Sequence, residues 1–314
     1  MSLELSPMWR SPALPLAAVL FLLCGCSLLG GGNDDASATD GRVEKPKIKV
    51  AVLPTVETAP LQLAIKNGYF RDAGLEVDVQ IAPSGQRTVE GLLGGDFDIS
   101  YSTYPAFFQA QAKGVGDLKL VTDNSSAAPN TATLMVPKGS PVKSMSDLSD
   151  KTIAVTAKGT LADLMVKDTM ATNLANWRSV DWREMPFPDM QAALASGKVD
   201  AAMVVEPFVT AIGEATGASV LKDLAVGPLN DFPFTGYGAT KKFVNENPRT
   251  VAVFQRGMER AANEAQDNRA NIEPLLPEFA KVDKSMVTIV HLPGFRTKLD
   301  ANRLHRVVDL TTSR

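Results

Sequence analysis

The phrase Leu92–Asp98, LLGGDFD, recurs as Leu194–Asp200, LASGKVD, and the agreement runs on without a gap. Gly95 meets Gly197, Asp98 meets Asp200, and Pro105 meets Pro207. Each copy reads as a helix stop, a strand and a helix start. Glycine accepts the left-handed conformation just past a helix end. Each aspartate stands where a strand begins, so its carboxylate can bond nearby backbone amides. Each proline suits a first helical turn, where a missing N–H costs nothing. A chain of 314 residues also exceeds the size, roughly 250–300 residues, beyond which one hydrophobic core usually splits. One copy per half therefore predicts two lobes of like architecture rather than a solenoid period.

The stretches around the repeat extend the same grammar. Residues 48–53, 74–79, 98–101 and 118–122 read as strands, with helical stretches between them at 58–68, 89–93 and 105–112. After Pro137 the pattern restarts: strands at 151–156, 180–183 and 200–205, helices from Thr160, over 189–195 and from Pro207. Strands alternating with helices predict βαβ units and a mostly parallel sheet in each lobe. Phe234–Ala239 reads as the return to the first lobe. Helical stretches are expected over 248–268, 285–290 and 299–308.

The first 46 residues read as targeting rather than fold. Arg10 precedes the apolar run LPLAAVLFLLCGC, whose uninterrupted core falls far short of the ~20 residues a spanning helix needs. That is the pattern of an export leader. Its end, Leu23-Cys24-Gly25-Cys26, resembles the lipobox of bacterial lipoproteins, with Cys26 as the lipidated first residue of the mature chain; the alternatives are a plain signal peptide cut elsewhere and a signal anchor. Cys24 departs from the small residue usual there. Residues 26–46 are rich in Gly, Ser and Asp, as a flexible tether should be. Two acyl chains, at ~0.8 kcal/mol per buried CH₂, hold a protein on a membrane where one is marginal. The protein is thus expected to be exported and lipid-anchored, facing the periplasm or exterior.

This leaves little reactive chemistry. The chain has two cysteines, Cys24 and Cys26, and two histidines, His291 and His305. Processing at Cys26 removes the means for an internal disulfide, a thiol nucleophile or a thiolate metal site. No metal, cofactor or catalytic residue is expected. A net charge of −3 offers no basic excess for nucleic acid.

In open α/β sheets ligands sit beyond the carboxyl ends of the strands. The loop after the duplicated strand holds Ser102, Thr103 and Tyr104 in one half and ends at Glu206 in the other. After the first strand of each half come the hydroxyl-rich turns with Thr55 and Thr58, and with Thr156 and Thr160. Such turns lead into helix N-termini, whose free N–H groups favour an anion. Asn124, after the fourth strand, completes the candidate set. For each, a structural role stands beside the binding role: capping for Thr58 and Thr160, packing for Tyr104, and dipole stabilisation at a helix start for Glu206. For Asp189 N-capping stands beside a ligand contact, and for Phe232, Phe234 and Tyr237, near the return crossover, core packing stands beside lining the cleft. The hydroxyls favour an oxyanion, whereas Glu206 favours an amine or ring N–H. A zwitterion or a pyrimidine satisfies both.

The segments VAVLPTVETAPLQLAIKNGYFRDAGLEVDV, GLLGGDFDIS, MSDLSDKTIAVTAKGT and MQAALASGKVDAAMVVEP together resemble the SsuA/THI5-like family. These are the nitrate-, sulfonate-, taurine- and thiamine-precursor-type substrate-binding proteins of ABC importers. The resemblance runs from about Lys47 to Pro207 and more weakly to about Asp309. It rests on Asn67-Gly68-Tyr69-Phe70, Asp147-Leu148 with Lys151, and Glu206-Pro207 in that order. It implies a two-lobe periplasmic-binding-protein-like (type II) α/β fold, with crossover strands joining the lobes. Lobe 1 would span 47–136 and 236–314, and lobe 2 would span 137–235. It further implies a monomer that closes on a small solute and delivers it to a permease and its ATPase. Two alternatives remain: a solute-sensing lipoprotein with no transport role, and a thiamine-pyrimidine biosynthetic enzyme of the same fold. Relatives of the second kind are cytosolic and use Cys- and His-rich motifs. The closing sequence VVDLTTSR looks shorter than the family's usual last helix and tail.

Overall fold

The computed structural model of the chain describes residues 42–312. The expected leader, the lipidation site Cys26 and the tether up to residue 41 lie outside the described residues.

Strands β1 (Lys47–Val52), β2 (Glu76–Ile81), β3 (Ile99–Thr103), β4 (Leu118–Ser126), β10 (Pro233–Thr240) and β11 (Gly294–Phe295) form one sheet, ordered β11-β4-β10-β3-β1-β2. Strands β5 (Ala132–Val136), β6 (Thr152–Val155), β7 (Asp181–Glu184), β8 (Ala201–Val205) and β9 (Ser219–Asp223) form the other, ordered β7-β6-β8-β5-β9. The strand that follows the repeated phrase holds the same place in each. β3 lies between β1, parallel to it, and β10, antiparallel. β8 lies between β6, parallel, and β5, antiparallel.

The two-sheet α/β architecture is as expected, but both sheets are mixed rather than mostly parallel. The cause is the double crossover. The chain leaves the first sheet through β4 into β5 and comes back through β9 into β10. Each arriving strand runs against the strands on both its sides. β5, which the sequence places at the end of the first lobe, pairs within the five-stranded sheet. β5 and β8 read ATLMV and AAMVV and are buried at every residue, the continuous apolar run of strands covered on both faces.

Helices cover the sheets. The 20-residue helix Pro248–Asp267 lays Val251, Phe254, Met258, Ala261 and Ala265 on the core. Phe254 stacks on Phe70, centroids 5.4 Å apart, and meets Tyr237 edge-on. The last helix runs over Ala301–Thr312, beginning and ending later than expected. Residues 285–290 form turns and not a helix. There the Asp283 carboxylate accepts from the Ser285 N–H and hydroxyl at 2.8 and 2.6 Å, a local bond that competes with helix formation. The ordered body also begins before Lys47. Glu44 accepts from the Thr250 N–H at 2.8 Å and from the Arg249 N–H at 3.1 Å, and Val43 packs on the core.

Candidate functional site

The duplicated step is scaffold in both lobes. Gly95 ends the helix Gly85–Gly94 at φ +84°, and Gly197 takes φ +68° just past the helix Phe187–Ala195. The Asp98 N–H donates to the Lys49 carbonyl, and its carboxylate accepts from the Lys49 N–H, both at 2.9 Å. Asp200 makes the same two bonds to Thr152 at the same lengths. Each aspartate thus fastens the start of its strand to the neighbouring first strand.

Beyond these strands a cavity of about 50 Å³ lies between the two sheets, walled by both lobes. A strand shows alternate residues to opposite sides, and the cavity takes one set. Tyr101 and Thr103 of β3 line it, as do their counterparts Met203 and Val205 of β8. The alternate residues face the covering helix: Ser100 and Ser102 donate to the carbonyls of Thr88 and Gly85 at 2.7 and 2.8 Å.

The wall from the six-stranded lobe is polar, with Thr55, Glu57, Tyr101, Thr103 and Thr235. Glu57 is the residue that sequence reading missed. It stands in the short 3₁₀ turn Val56–Thr58 between β1 and the helix Ala59–Lys66. It is 2% exposed, and its Oε2 has no hydrogen-bond partner. Burial pushes its carboxyl up to about 7, against the Thr55 hydroxyl, which favours the charged form; the Glu206 charge adds to the rise. Its backbone carbonyl accepts from Asn124 Nδ2 at 3.0 Å, which fixes the turn. Thr103 Oγ1 is likewise buried without a partner. The Thr55 and Tyr101 hydroxyls lie 3.4 Å apart. Burial holds the Tyr101 phenol well above its ordinary range, so it is neutral. Behind it, Tyr237 packs edge-on at 5.8 Å.

The wall from the five-stranded lobe is largely apolar, with Met165, Phe187, Met203 and Val205. Its polar part is Thr156 and the start of the helix Leu161–Thr172, where Thr160, Leu161 and Ala162 line the cavity. Thr160 donates its hydroxyl to the Ala157 carbonyl at 2.9 Å. The first N–H groups of this helix have no partner within it. Among the described lining residues none is Lys, Arg or His.

Thr55, Thr103, Thr156 and Thr160 of the expected set thus meet at one cavity. The others do not line it. Thr58 donates to the Thr55 carbonyl at 2.9 Å and caps its turn. Ser102 is used by Gly85, as above. Tyr104 turns into the core, where its hydroxyl donates to Asp123 Oδ1 at 2.5 Å. Asn124 lies behind the wall, donating to Thr235 Oγ1 at 3.0 Å as well as to Glu57. Glu206 is fully buried and its oxygens are occupied. They accept from the Thr210 N–H and hydroxyl at 3.1 and 2.8 Å and from the His291 N–H at 3.0 Å. The ring Nδ1 of His291 lies 2.9 Å from the same oxygen. The Glu206 carbonyl accepts from the Val56 N–H at 3.2 Å. Glu206 is therefore a strut between lobes. Asp189 sits in the first turn of its helix, and Phe234 is buried in the core as expected and also lines the cavity. Among the described residues no cluster of His, Cys, Asp and Glu could hold a metal ion.

Known proteins resemble this chain in sequence and in fold. A Bacillus subtilis protein named for binding aliphatic sulfonates is 24% identical over 277 residues, 87% of this chain and 79% of its own. A protein of Brachyspira hyodysenteriae, named as an ABC transporter periplasmic binding protein, is 24% identical over 280 residues, 86% of this chain and 78% of its own. The alkanesulfonate-binding protein SsuA from Xanthomonas axonopodis pv. citri has the same fold. It superposes with a TM-score of 0.76 at 21% identity, over 86% of this chain and 93% of its own. The nitrate-binding protein NrtA from Synechocystis also shares the fold, with a TM-score of 0.68 at 16% identity over 78% of this chain and 69% of its own. The model of the NMT1-like family matches residues 41–276, and the chain belongs to that family.

Proposed function

We propose that the protein is an extracytoplasmic solute receptor of an ABC importer. It is held to the membrane by lipid on Cys26, takes a small organic anion or zwitterion between its lobes and delivers it to a permease and its ATPase. The candidate solutes are sulfonates, taurine, nitrate and pyrimidine precursors of thiamine. The observation that carries this reading is the cavity itself, built in equal part from two lobes of repeated architecture, with buried polar atoms left unpartnered on its wall. Two-lobe proteins close by hinging, and a solute gripped by both walls favours the closed form. In this reading Thr55, Thr103, Thr156 and Thr160 contact the solute. The names of the relatives favour transport over catalysis.

The test is thermal denaturation of the full chain with taurine, ethanesulfonate, nitrate or 4-aminopyrimidine. A bound solute at ~100 times its Kd adds about 2.7 kcal/mol of stability. A rise in Tm with at least one supports the reading, and no rise with any contradicts it. Cys26→Ala should move the protein from the membrane to the soluble extracytoplasmic fraction. Retention on the membrane would refute the lipid anchor alone.

A further inference from the structure

We propose that Glu57 is the subsite that selects the solute: its carboxylate receives a protonated amine or a polarised ring N–H. The ligand is then a small N–H donor and not a simple anion such as nitrate or an alkanesulfonate. This rests on the reading of the cavity as the solute site.

A buried polar atom without a partner is costly and persists when another state of the protein satisfies it. Glu57 is such a group, 2% exposed with an unpartnered oxygen at a cavity wall. Its charged and titratable neighbours do not satisfy it. Glu206 adds repulsion, Tyr101 and Tyr237 are neutral phenols, and Thr55 supplies one hydroxyl. His291 is bonded to Glu206. With no cationic side chain among the described lining residues, an anion without an N–H would face a carboxyl and gain only hydroxyl and amide contacts. A cation or N–H donor meets the acceptor that the protein leaves open.

The opposite wall fits the other end of such a molecule. The amides of Leu161 and Ala162 open a 12-residue helix and suit an oxyanion or carbonyl. Thr103 Oγ1 is a second unpartnered group. Met165, Phe187 and Met203 accommodate a short apolar body. When a protonated amine binds, the Glu57 carboxyl releases its proton to water and the ion pair forms. Affinity for such a ligand therefore rises with pH through about 7. An anion that needs Glu57 protonated shows the reverse slope.

The experiment is calorimetry on the full chain with two matched pairs, taurine against ethanesulfonate and 4-aminopyrimidine against pyrimidine, together with nitrate. Glu57→Gln removes the charge and keeps the shape. At least one N–H-bearing member should bind more tightly than its partner, and Glu57→Gln should weaken it about 10- to 100-fold, the loss expected for a charged hydrogen bond. Tight binding of ethanesulfonate or nitrate, or an undiminished affinity of Glu57→Gln for the N–H ligand, overturns the assignment and leaves the receptor reading standing. Binding by no probe overturns both. If Glu57→Gln fails to fold, the pH slope of the wild-type affinity decides by its sign.

Discussion

Tyr101 and Thr103 on one strand and Met203 and Val205 on the other occupy equivalent places in the two lobes, and all four line the same cavity. The backbone around them is the same: helix stop, aspartate clamp, strand, helix start. The side chains are not. One wall offers two hydroxyls and, close by, a buried carboxyl; the other offers a thioether and an aliphatic group. A repeated scaffold thus carries unrepeated chemistry. On the proposed reading, a solute with a polar end and an apolar flank would be held in one orientation, which two identical walls could not impose.

The largest expected effect lies on the polar wall. Glu57 has a folded-state value of about 7, against 4.5 for the unperturbed group. Between these values the native state binds more protons than the unfolded chain, so stability falls as pH rises. Above pH 7 the contribution of Glu57 alone has fallen by about 3 kcal/mol relative to acid, at 1.36 kcal/mol per pKa unit. Glu57→Gln lacks this loss. Its Tm should match the wild type within a few degrees at pH 4 and exceed it clearly at pH 8. A difference that does not depend on pH would remove Glu57 from its buried, unpaired state.

The scaffold should behave symmetrically. Asp98→Ala and Asp200→Ala each leave one strand N–H without its acceptor, a loss of about 1–2 kcal/mol in denaturant unfolding. The two share no partner, so the double variant should lose the sum. A cost confined to one site would break the equivalence of the lobes. Exchanging the walls tests the asymmetry with a smaller effect. Thr103→Val should leave stability within about 0.5 kcal/mol while weakening the solute by roughly one hydrogen bond, about 1 kcal/mol. Val205→Thr should do the opposite, with about 1 kcal/mol lost from the fold and little change in affinity by calorimetry.

Much of the fold was legible because its signals are local. A glycine past a helix end, an aspartate at a strand start and a proline in a first turn each act within a few residues. The mixed pairing was less so, since the direction of β10 beside β3 depends on a crossover from the other lobe. In the site, Thr55, Thr103, Thr156 and Thr160 could be named from strand-exit positions. Ser102 and Tyr104 could not be separated from Thr103 by position alone, yet the two-residue period of β3 pairs Thr103 with Tyr101 and turns Ser102 away. Glu57 escaped notice because an acid in a capping turn ordinarily serves a helix dipole; only the path of the 3₁₀ turn brings it to the cavity. Glu206 drew attention for the same local reason, but its partners include His291, 85 residues further on.

The most direct measurement is a carboxyl ¹³C titration of Glu57 by NMR in the full chain, with and without the tightest N–H-bearing probe. The expected midpoint is near 7 in the free protein and falls by at least one unit on binding, as the ligand's N–H takes the place of the missing partner. A free-protein midpoint near 4.5, or a midpoint that rises when solute binds, would contradict it.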